Sequence, residues 1–242
     1  MYESILKVLT RRLKLFFYGD RAGVSFSTLS RNTHGVHLNI ESLIESENEL
    51  PRSTSAFINQ AENLFEEISL SVQQKQVTSL KWNAEKHLFT LLYCLVKALK
   101  PQFIVETGVA NGVTTNAIMK AIESNKNNGV LHSFDILSET SKAYDGIGNW
   151  NFHLLKSRRT HESLIKEIEK LPRPDLWVHD SNHGYRSQKF EYLLAFKSLK
   201  NGGILISDDV DASSAWAEMS KTHFRKSFII FDSRKFIGIA IK

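Results

Sequence analysis

Short apolar segments that end in an acidic residue alternate with helical segments from about residue 80 onward. Apolar segments of this length are typical of strands that are buried on both faces of a parallel sheet. Their alternation with helices predicts an α/β fold with a doubly wound sheet. The predicted strand segments are FIVETG, GVLHSFDI, NFHLLK, PDLWVHD and GGILISDD, followed by an antiparallel terminal hairpin of KSFIIFDS and KFIGIAIK.

The first 80 residues differ from the rest, and we predict an N-terminal helical extension (1–80) on a main domain of residues 81–242. The segment YESILKVLTRRLKLFFYG has amphipathic helical spacing, and STSAFINQAENLFEEISLSVQQKQ resumes a helical period after a weakly patterned stretch. The basic first segment leaves three options open, which are packing on its own domain, on a second subunit, or on a membrane surface. A homo-oligomer formed through the N-terminal helices is therefore one option.

Composition limits the classes of protein to which the chain can belong. Its 242 residues are 42% hydrophobic and 24% charged, which suits one soluble α/β domain with an appendage. Basic residues interrupt the apolar N-terminal residues, and no apolar stretch approaches the ~20 residues that span a bilayer. We therefore expect a cytoplasmic protein without stable membrane insertion.

Charge and cysteine content exclude two further classes. The formal net charge is +5, but the basic residues are dispersed, so the sequence does not predict nucleic-acid binding. The single cysteine, Cys94, excludes an internal disulfide framework and a cysteine-based zinc site. Because Cys94 lies in an apolar helical segment, we predict that it is a small buried side chain.

Four predicted strands end in acidic side chains. These are Glu106, Asp135, Asp180 and the pair Asp208 and Asp209. In an open α/β sheet, ligands bind beyond the carboxyl ends of the strands, near the point where the strand order reverses. One such acid is readily explained as a helix cap or turn residue. Four in succession instead predict a shared ligand site.

The turn after the first of these strands has the spacing Gly108-x-x-x-Gly112. Glycine permits a positive φ and a close approach of the backbone to a ligand, and the following helix offers free N–H groups. Asp135 ends the next strand, where an acid accepts hydrogen bonds from ribose hydroxyls. The pattern predicts an adenosine-type ligand, although a generic tight turn remains the alternative.

These motifs resemble those of class I S-adenosylmethionine-dependent methyltransferases, which carry Glu-x-Gly-x-x-x-Gly after the first core strand. The stretch VHDSNHGYRSQKFEYLLAFKSLKNGGILISDD further resembles metal-dependent O-methyltransferases related to those acting on macrolide sugars and, more distantly, to catechol O-methyltransferase. That branch often has Gly and Asp where this chain has Ser181 and Asn182. The resemblance implies a Rossmann-like methyltransferase sheet and spans roughly residues 80–210.

The resemblance also implies a set of site residues. S-Adenosylmethionine is expected to bind at Glu106, Gly108, Ala110, Asn111, Gly112, Thr114, Asp135 and Ile136. The expected ligands of Mg²⁺ are Asp180, Asp208 and Asp209, because three carboxylates form a hard oxygen site. Asp180 and His183 are the predicted catalytic residues, with His183 as general base or, alternatively, as a supporting residue. His179 precedes Asp180 in the strand, and we predict a structural role for it.

The leading functional hypothesis is O-methylation of a small hydroxylated acceptor, such as a sugar or a natural-product glycoside. A nicotinamide-dependent oxidoreductase is a second hypothesis, which the absence of G-x-G-x-x-G disfavours. A non-catalytic cofactor-binding module is a third, which the Asp/His set disfavours. The sequence also lacks the Asn/Asp-Pro-Pro-aromatic motif of enzymes that methylate amino groups of nucleic-acid bases.

Overall fold

One mixed sheet forms the centre of the protein in the computed structural model, which describes residues 26–46, 50–146, 148–232 and 235–242. The strand order is β1-β7-β8-β6-β5-β2-β3-β4. Strand β8 is antiparallel to β6 and β7, whereas the other neighbouring pairs are parallel. The strands are β1 Gly35–His37, β2 Phe103–Thr107, β3 Val130–Asp135, β4 Trp150–Leu154, β5 Leu176–His179, β6 Ile204–Ser207, β7 Lys226–Phe231 and β8 Phe236–Ile241.

Helices cover both faces of this sheet. They are α1 Phe26–Asn32, α2 Ile40–Ser46, α3 Ile58–Lys75, α4 Lys86–Leu99, α5 Val113–Asn125, α6 Thr160–Ile168, α7 Tyr185–Ser198 and α8 Ala215–Thr222. One apolar core joins α2, α3, α4 and α5 to the sheet, and a second core joins α1, α6, α7 and α8 to its other face. The predicted doubly wound α/β fold is thereby confirmed. Within the described ranges, no helix has the length and hydropathy required to cross a membrane.

The central strands are apolar throughout because successive side chains enter opposite cores. In β5, Leu176 and Val178 join the first core while Trp177 joins the second. Helix α4 is also buried over most of its length, because it packs against α5, α3 and the segment Arg52–Phe57. Cys94 lies in this helix and is fully buried, as the sequence predicts.

Two features of the sheet differ from the sequence-based expectation. Residues Gly35–His37, within the predicted helical extension, add a parallel strand beside β7. Because a strand of three residues has too little periodicity to recognise, the sequence does not predict it. The terminal hairpin consequently lies inside the sheet, with β1 at the edge. The predicted first amphipathic helix lies outside the described residues, and the boundary at residue 80 stays a prediction.

The strand order reverses between β2 and β5. From β2 the chain continues to β3 and β4 on one side, and then returns to β5 and β6 on the other side. The carboxyl ends of β2 and β5 therefore flank the crevice in which α/β proteins of this kind bind their ligands. The predicted strand-end acids lie along this edge of the sheet.

Candidate active site

A cavity of about 750 Å³ opens at the carboxyl ends of the central strands. Its volume falls within the range of about 300–1,000 Å³ that is usual for small-molecule sites. The lining brings the turn after β2 together with the ends of β3, β5 and β6. Predicted site residues in this lining are Gly108, Ala110, Asp135, Ile136, Asp180, His183, Asp208 and Asp209.

Gly108 allows the turn after β2 to pass directly against the end of β5. Its φ is +85°, and a Cβ at this position would collide with the backbone carbonyl of Asp180. Both constraints require glycine. Gly112, with a φ of +80°, occupies the N-cap position of α5. Gly108 thus allows the turn to approach Asp180 after β5, whereas a Cβ at Gly112 would meet Ala143.

Asp135 binds the same turn through its side chain. The N–H groups of Val109 and Ala110 donate to Asp135 Oδ2 at 2.8 and 3.3 Å, and the N–H of Leu137 donates to Oδ1 at 2.9 Å. Each carboxylate oxygen has two lone pairs, so Oδ2 is fully used and Oδ1 keeps capacity to accept from one ligand hydroxyl. Asp135 therefore orients the turn and still faces the cavity.

The other four predicted cofactor residues, Glu106, Asn111, Gly112 and Thr114, lie outside the cavity lining. Glu106 is fully buried beneath the turn, where Thr115 and Ser133 donate hydrogen bonds to Oε2 while Oε1 has no partner. Burial raises the pKa of Glu106 to about 7, although these hydrogen bonds partly oppose the rise. Its position is that of a support for the turn rather than of a wall of the cavity.

Asn111 connects the turn to the segment that precedes α4. Its Oδ1 accepts a hydrogen bond from the N–H of Thr78 at 2.6 Å, and its Nδ2 donates to Asn83 Oδ1 at 2.7 Å. This segment contributes Lys81, Trp82 and Asn83 to the rim of the cavity. Trp82 is 59% exposed. Asn111 thus holds a rim of the cavity instead of facing its interior.

A group of three side chains in the cavity lining could hold a metal ion. Asp180, His183 and Asp208 each offer one ligand atom, and these atoms lie within 4.8 Å of one another. The set differs from the predicted one, because His183 takes the place of Asp209. Asp209 instead directs Oδ2 toward His183 Nδ1 at 3.0 Å, and its backbone has a φ of +48°.

His183 lies between two carboxylates. Its Nε2 is 3.6 Å from Asp180 Oδ1, and its Nδ1 is 3.0 Å from Asp209 Oδ2. Burial by itself lowers the pKa of His183, but the two carboxylates raise it overall, to about 10. The imidazole is therefore protonated near neutral pH in this arrangement. A protonated imidazole is a hydrogen-bond donor, so the predicted role as general base requires a change in its surroundings.

Lys235 is a cavity residue that sequence reasoning does not identify. Its ammonium group forms an ion pair with Asp208 Oδ2, and the two side chains are 4% and 1% exposed. Burial and the nearby Asp180 raise the pKa of Asp208, and Lys235 offsets part of that rise. Burial alone lowers the pKa of Lys235, but the carboxylates raise it overall.

A signal for Lys235 exists in the sequence, but only once the strand pairing is known. Strand β8 runs antiparallel to β6, with Ser207 opposite Gly238. The beginning of β8 therefore lies beside the acidic end of β6. A basic residue just before β8 must then approach Asp208.

A buried hydrogen-bond network supports the loop that carries Asp180 and His183. Glu191 accepts hydrogen bonds from His179 Nδ1 at 2.7 Å, from Ser181 Oγ at 2.6 Å and from Thr107 Oγ1. Although burial raises the pKa of Glu191, His179 and these hydroxyl groups lower it overall. Ser181, a departure from the resembled motif, thus binds the loop to α7, and His179 is fully buried.

Asn182, the second departure from that motif, has a local role. Its Oδ1 accepts a hydrogen bond from the N–H of Gly184 at 2.8 Å. This bond closes an Asx turn immediately before α7 begins at Tyr185. The side chain therefore shapes the turn after Asp180.

Residues 105–210 match the family model described as a methyltransferase domain. The chain therefore carries a methyltransferase domain, and the prediction of an S-adenosylmethionine-dependent methyltransferase is confirmed at this level. A search of curated protein sequences gives no match.

Solved structures with the same fold include three methyltransferases. An O-methyltransferase from Bacillus cereus, in complex with S-adenosylhomocysteine, gives a TM-score of 0.56 at 14% identity, covering 82% of this chain and 100% of its own. A methyltransferase from Podospora anserina gives 0.56 at 11% identity, covering 81% and 97%. An O-methyltransferase of tomaymycin synthesis from Streptomyces achromogenes gives 0.51 at 13% identity, covering 83% and 94%. At these identities the likeness shows the fold.

Proposed function

We propose that this chain, whose residues 105–210 form a methyltransferase domain, transfers the methyl group of S-adenosylmethionine to a hydroxyl group of a small molecule. One observation carries the proposal. A single cavity contains both the corner formed by Asp135 and the glycine turn and the cluster of Asp180, His183 and Asp208. A donor at the first position and an acceptor at the second would share the same enclosed space, as in-line transfer requires.

The corner near Asp135 has the chemistry that an adenosine group needs. Phe134, Ile136 and Leu155 supply apolar surface beside the Asp135 carboxylate in the cavity lining. An adenine ring requires such a surface, and the ribose hydroxyls require the carboxylate. S-Adenosylmethionine supplies a methyl group already activated on a sulfonium. The chain has to orient the two reactants and remove the acceptor's proton.

The acidic cluster supports the proposal of a divalent metal ion, Mg²⁺ or Mn²⁺. Asp208 Oδ1 is buried and lacks a hydrogen-bond partner, and so does His183 Nε2. Buried polar atoms of this kind are rare without a ligand. Asp180, His183 and Asp208 would hold the ion, and carboxylate oxygens suit these metals. When bound, such an ion lowers the pKa of a coordinated hydroxyl.

The remaining residues have proposed roles that follow from their positions. With Nε2 on the ion and Nδ1 directed at Asp209, His183 has no nitrogen left to accept a proton, so it would act as general base only as a neutral imidazole in a site where Asp180 and Asp208 alone hold the ion. Asp209 would orient the ring through Nδ1. The exposed face of Trp82, beside Lys81 and Asn83, suits a ring that carries hydroxyl groups, such as a sugar or a natural-product glycoside.

The first test is isothermal titration of the full chain with S-adenosylmethionine. We expect saturable binding, and we expect Asp135→Ala to weaken it about ten-fold or more, because bonds to a charged group contribute roughly 1.5–3 kcal/mol. Asp145→Ala is the matched control, since Asp145 is an exposed acid that pairs with Lys75. Absence of binding to the unmodified chain at high micromolar cofactor would contradict the proposed function.

A further inference from the structure

Lys235 is held firmly at the cavity by contacts of its backbone as well as its side chain. Its N–H donates to Asp232 Oδ1 at 2.6 Å, and its carbonyl accepts from the N–H of Asp232 at 3.0 Å. The next N–H, of Phe236, donates to Asp211 Oδ1 at 3.3 Å. The lysine is thus anchored by Asp232, and its ammonium group reaches Asp208 at the end of β6.

The ammonium group uses a carboxylate that also belongs to the candidate metal set. Asp208 Oδ2 pairs with Lys235, while the other oxygen, Oδ1, is buried without a partner. An ammonium and a divalent cation on one carboxylate repel strongly in a site that excludes water. Coordination through Oδ1 alone leaves the ion pair in place, whereas coordination through both oxygens requires Lys235 to leave Oδ2.

We propose that Lys235 is an internal cation that occupies Asp208 in the metal-free protein, and that a divalent ion displaces this ammonium group when it binds both oxygens of Asp208. Lys235 would then be a positioning residue that determines the metal affinity of the site. The inference deepens the proposed function, because it rests on the metal assigned there to Asp180, His183 and Asp208. It adds a residue from the hairpin, outside the strands that carry those ligands.

A purely structural ion pair makes a different prediction. If Lys235 only binds the hairpin to β6, its removal leaves a buried Asp208 uncompensated and destabilises the fold without improving metal binding. If Lys235 competes with the metal, its removal leaves Asp208 free for the ion. The two explanations thus differ in the sign of the change in metal affinity.

The test compares metal binding by Lys235→Met and Lys235→Gln with that of the unmodified full chain. Free Mn²⁺ is measured by electron paramagnetic resonance during titration of metal-stripped protein. We expect the Mn²⁺ affinity of both variants to be at least about ten-fold higher than that of the unmodified chain, because one nearby positive charge is removed. The control is Lys189→Met, which makes the same chemical change at a lysine that pairs with Glu218 at 2.9 Å on the surface. Its affinity should equal that of the unmodified chain.

Several results would overturn the proposal. Unchanged or weaker Mn²⁺ binding by the Lys235 variants would do so, as would an equal gain in Lys189→Met or a complete lack of Mn²⁺ binding by every form. Titration of the same samples with S-adenosylmethionine distinguishes failure of the Lys235 proposal from failure of the proposed function. Cofactor binding with unaltered metal affinity contradicts only the role of Lys235.

A second measurement uses the unmodified chain, in case the variants do not fold. Acetylation of Lys235 by an amine-reactive ester is followed by mass spectrometry with and without saturating Mn²⁺, and Lys189 serves as internal reference. Displacement from Asp208 should increase the labelling rate of Lys235 relative to Lys189. An unchanged or lower relative rate would contradict displacement.

Discussion

Gly108 shows how one residue determines the geometry of the site. Its positive φ disfavours any side chain, and the space that a Cβ would occupy is filled by the backbone at Asp180. The first constraint is local and the second is tertiary. Together they bring the turn after β2 against the loop that carries Asp180 and His183.

Replacement of Gly108 by alanine should separate these two constraints. We expect Gly108→Ala to lower the free energy of unfolding by roughly 2–4 kcal/mol, because backbone strain adds to a collision with the backbone of Asp180. We also expect it to abolish S-adenosylmethionine binding. Chemical denaturation and calorimetric titration provide the measurements.

Gly202→Ala is the matched control for this substitution. Gly202 has a φ of +77°, but a Cβ there meets no atom within 4 Å. We expect a loss of only about 1 kcal/mol and normal cofactor binding. Equal losses in the two variants would show that the close approach to Asp180 has no energetic role.

At the scale of elements, the rim of the cavity depends on a contact between two loops. Asn111 is the connection between the turn after β2 and the segment of residues 78–83. That segment lies shortly before α4 in the chain, and α4 belongs to the first apolar core. The position of the segment therefore depends on that core. The site is thus closed on one side by residues that precede β2 in sequence.

Loss of the Asn111 side chain should loosen this rim. We expect Asn111→Ala to increase amide hydrogen exchange of residues 78–83 by about ten-fold, because the N–H of Thr78 loses its acceptor. Asn127→Ala is the control, since Asn127 binds the carbonyls of Lys100 and Pro101 at the other end of β2. Unchanged exchange in residues 78–83 would refute the tethering role.

At the scale of the whole molecule, the strand order gathers charge at one edge of the sheet. The carboxyl ends of parallel strands meet there, so Glu106, Asp180 and Asp208 lie in one region, and burial raises the pKa of two of them. A carboxyl group whose pKa is raised by folding keeps its proton to a higher pH in the folded protein than in the unfolded chain. Stability should therefore decrease as pH rises through the interval between the two values.

Glu106 gives a measurable case of this linkage. Its pKa rises from 4.5 to about 7 on folding, so the folded state binds one more proton than the unfolded state within that interval. We expect Glu106→Gln to remove this contribution. As pH rises from 5 to 8, the free energy of unfolding of the variant should therefore increase by roughly 2–3 kcal/mol relative to that of the unmodified chain.

Denaturation curves across this pH interval test the prediction, with Glu169→Gln as the exposed control. A difference in stability between Glu106→Gln and the unmodified chain that is independent of pH would contradict the raised pKa of Glu106. The control should show no gain that grows with pH.

Much of the fold and part of the site follow from local pattern. Apolar strands ending in Glu106, Asp135, Asp180 and Asp208 are visible in the sequence, and parallel topology places such ends at one edge. The turn Gly108–Gly112 is equally visible because its backbone conformation depends on residue type. The short strand Gly35–His37 is not predictable, since it is stabilised by pairing with β7 rather than by its own periodicity.

By itself, the sequence determined the doubly wound α/β class, the turn after β2 and the row of strand-end acids, because these depend on local periodicity and residue chemistry. The tertiary structure alone decided which acids face one another, that His183 is held between Asp180 and Asp209, and that Lys235 pairs with Asp208. The physical reason is that His183 and Asp209, like Lys235 and Asp208, interact through space between segments that are distant in sequence. The pairing of Lys235 with Asp208 depends on the antiparallel return of β8 beside β6, which no local pattern specifies.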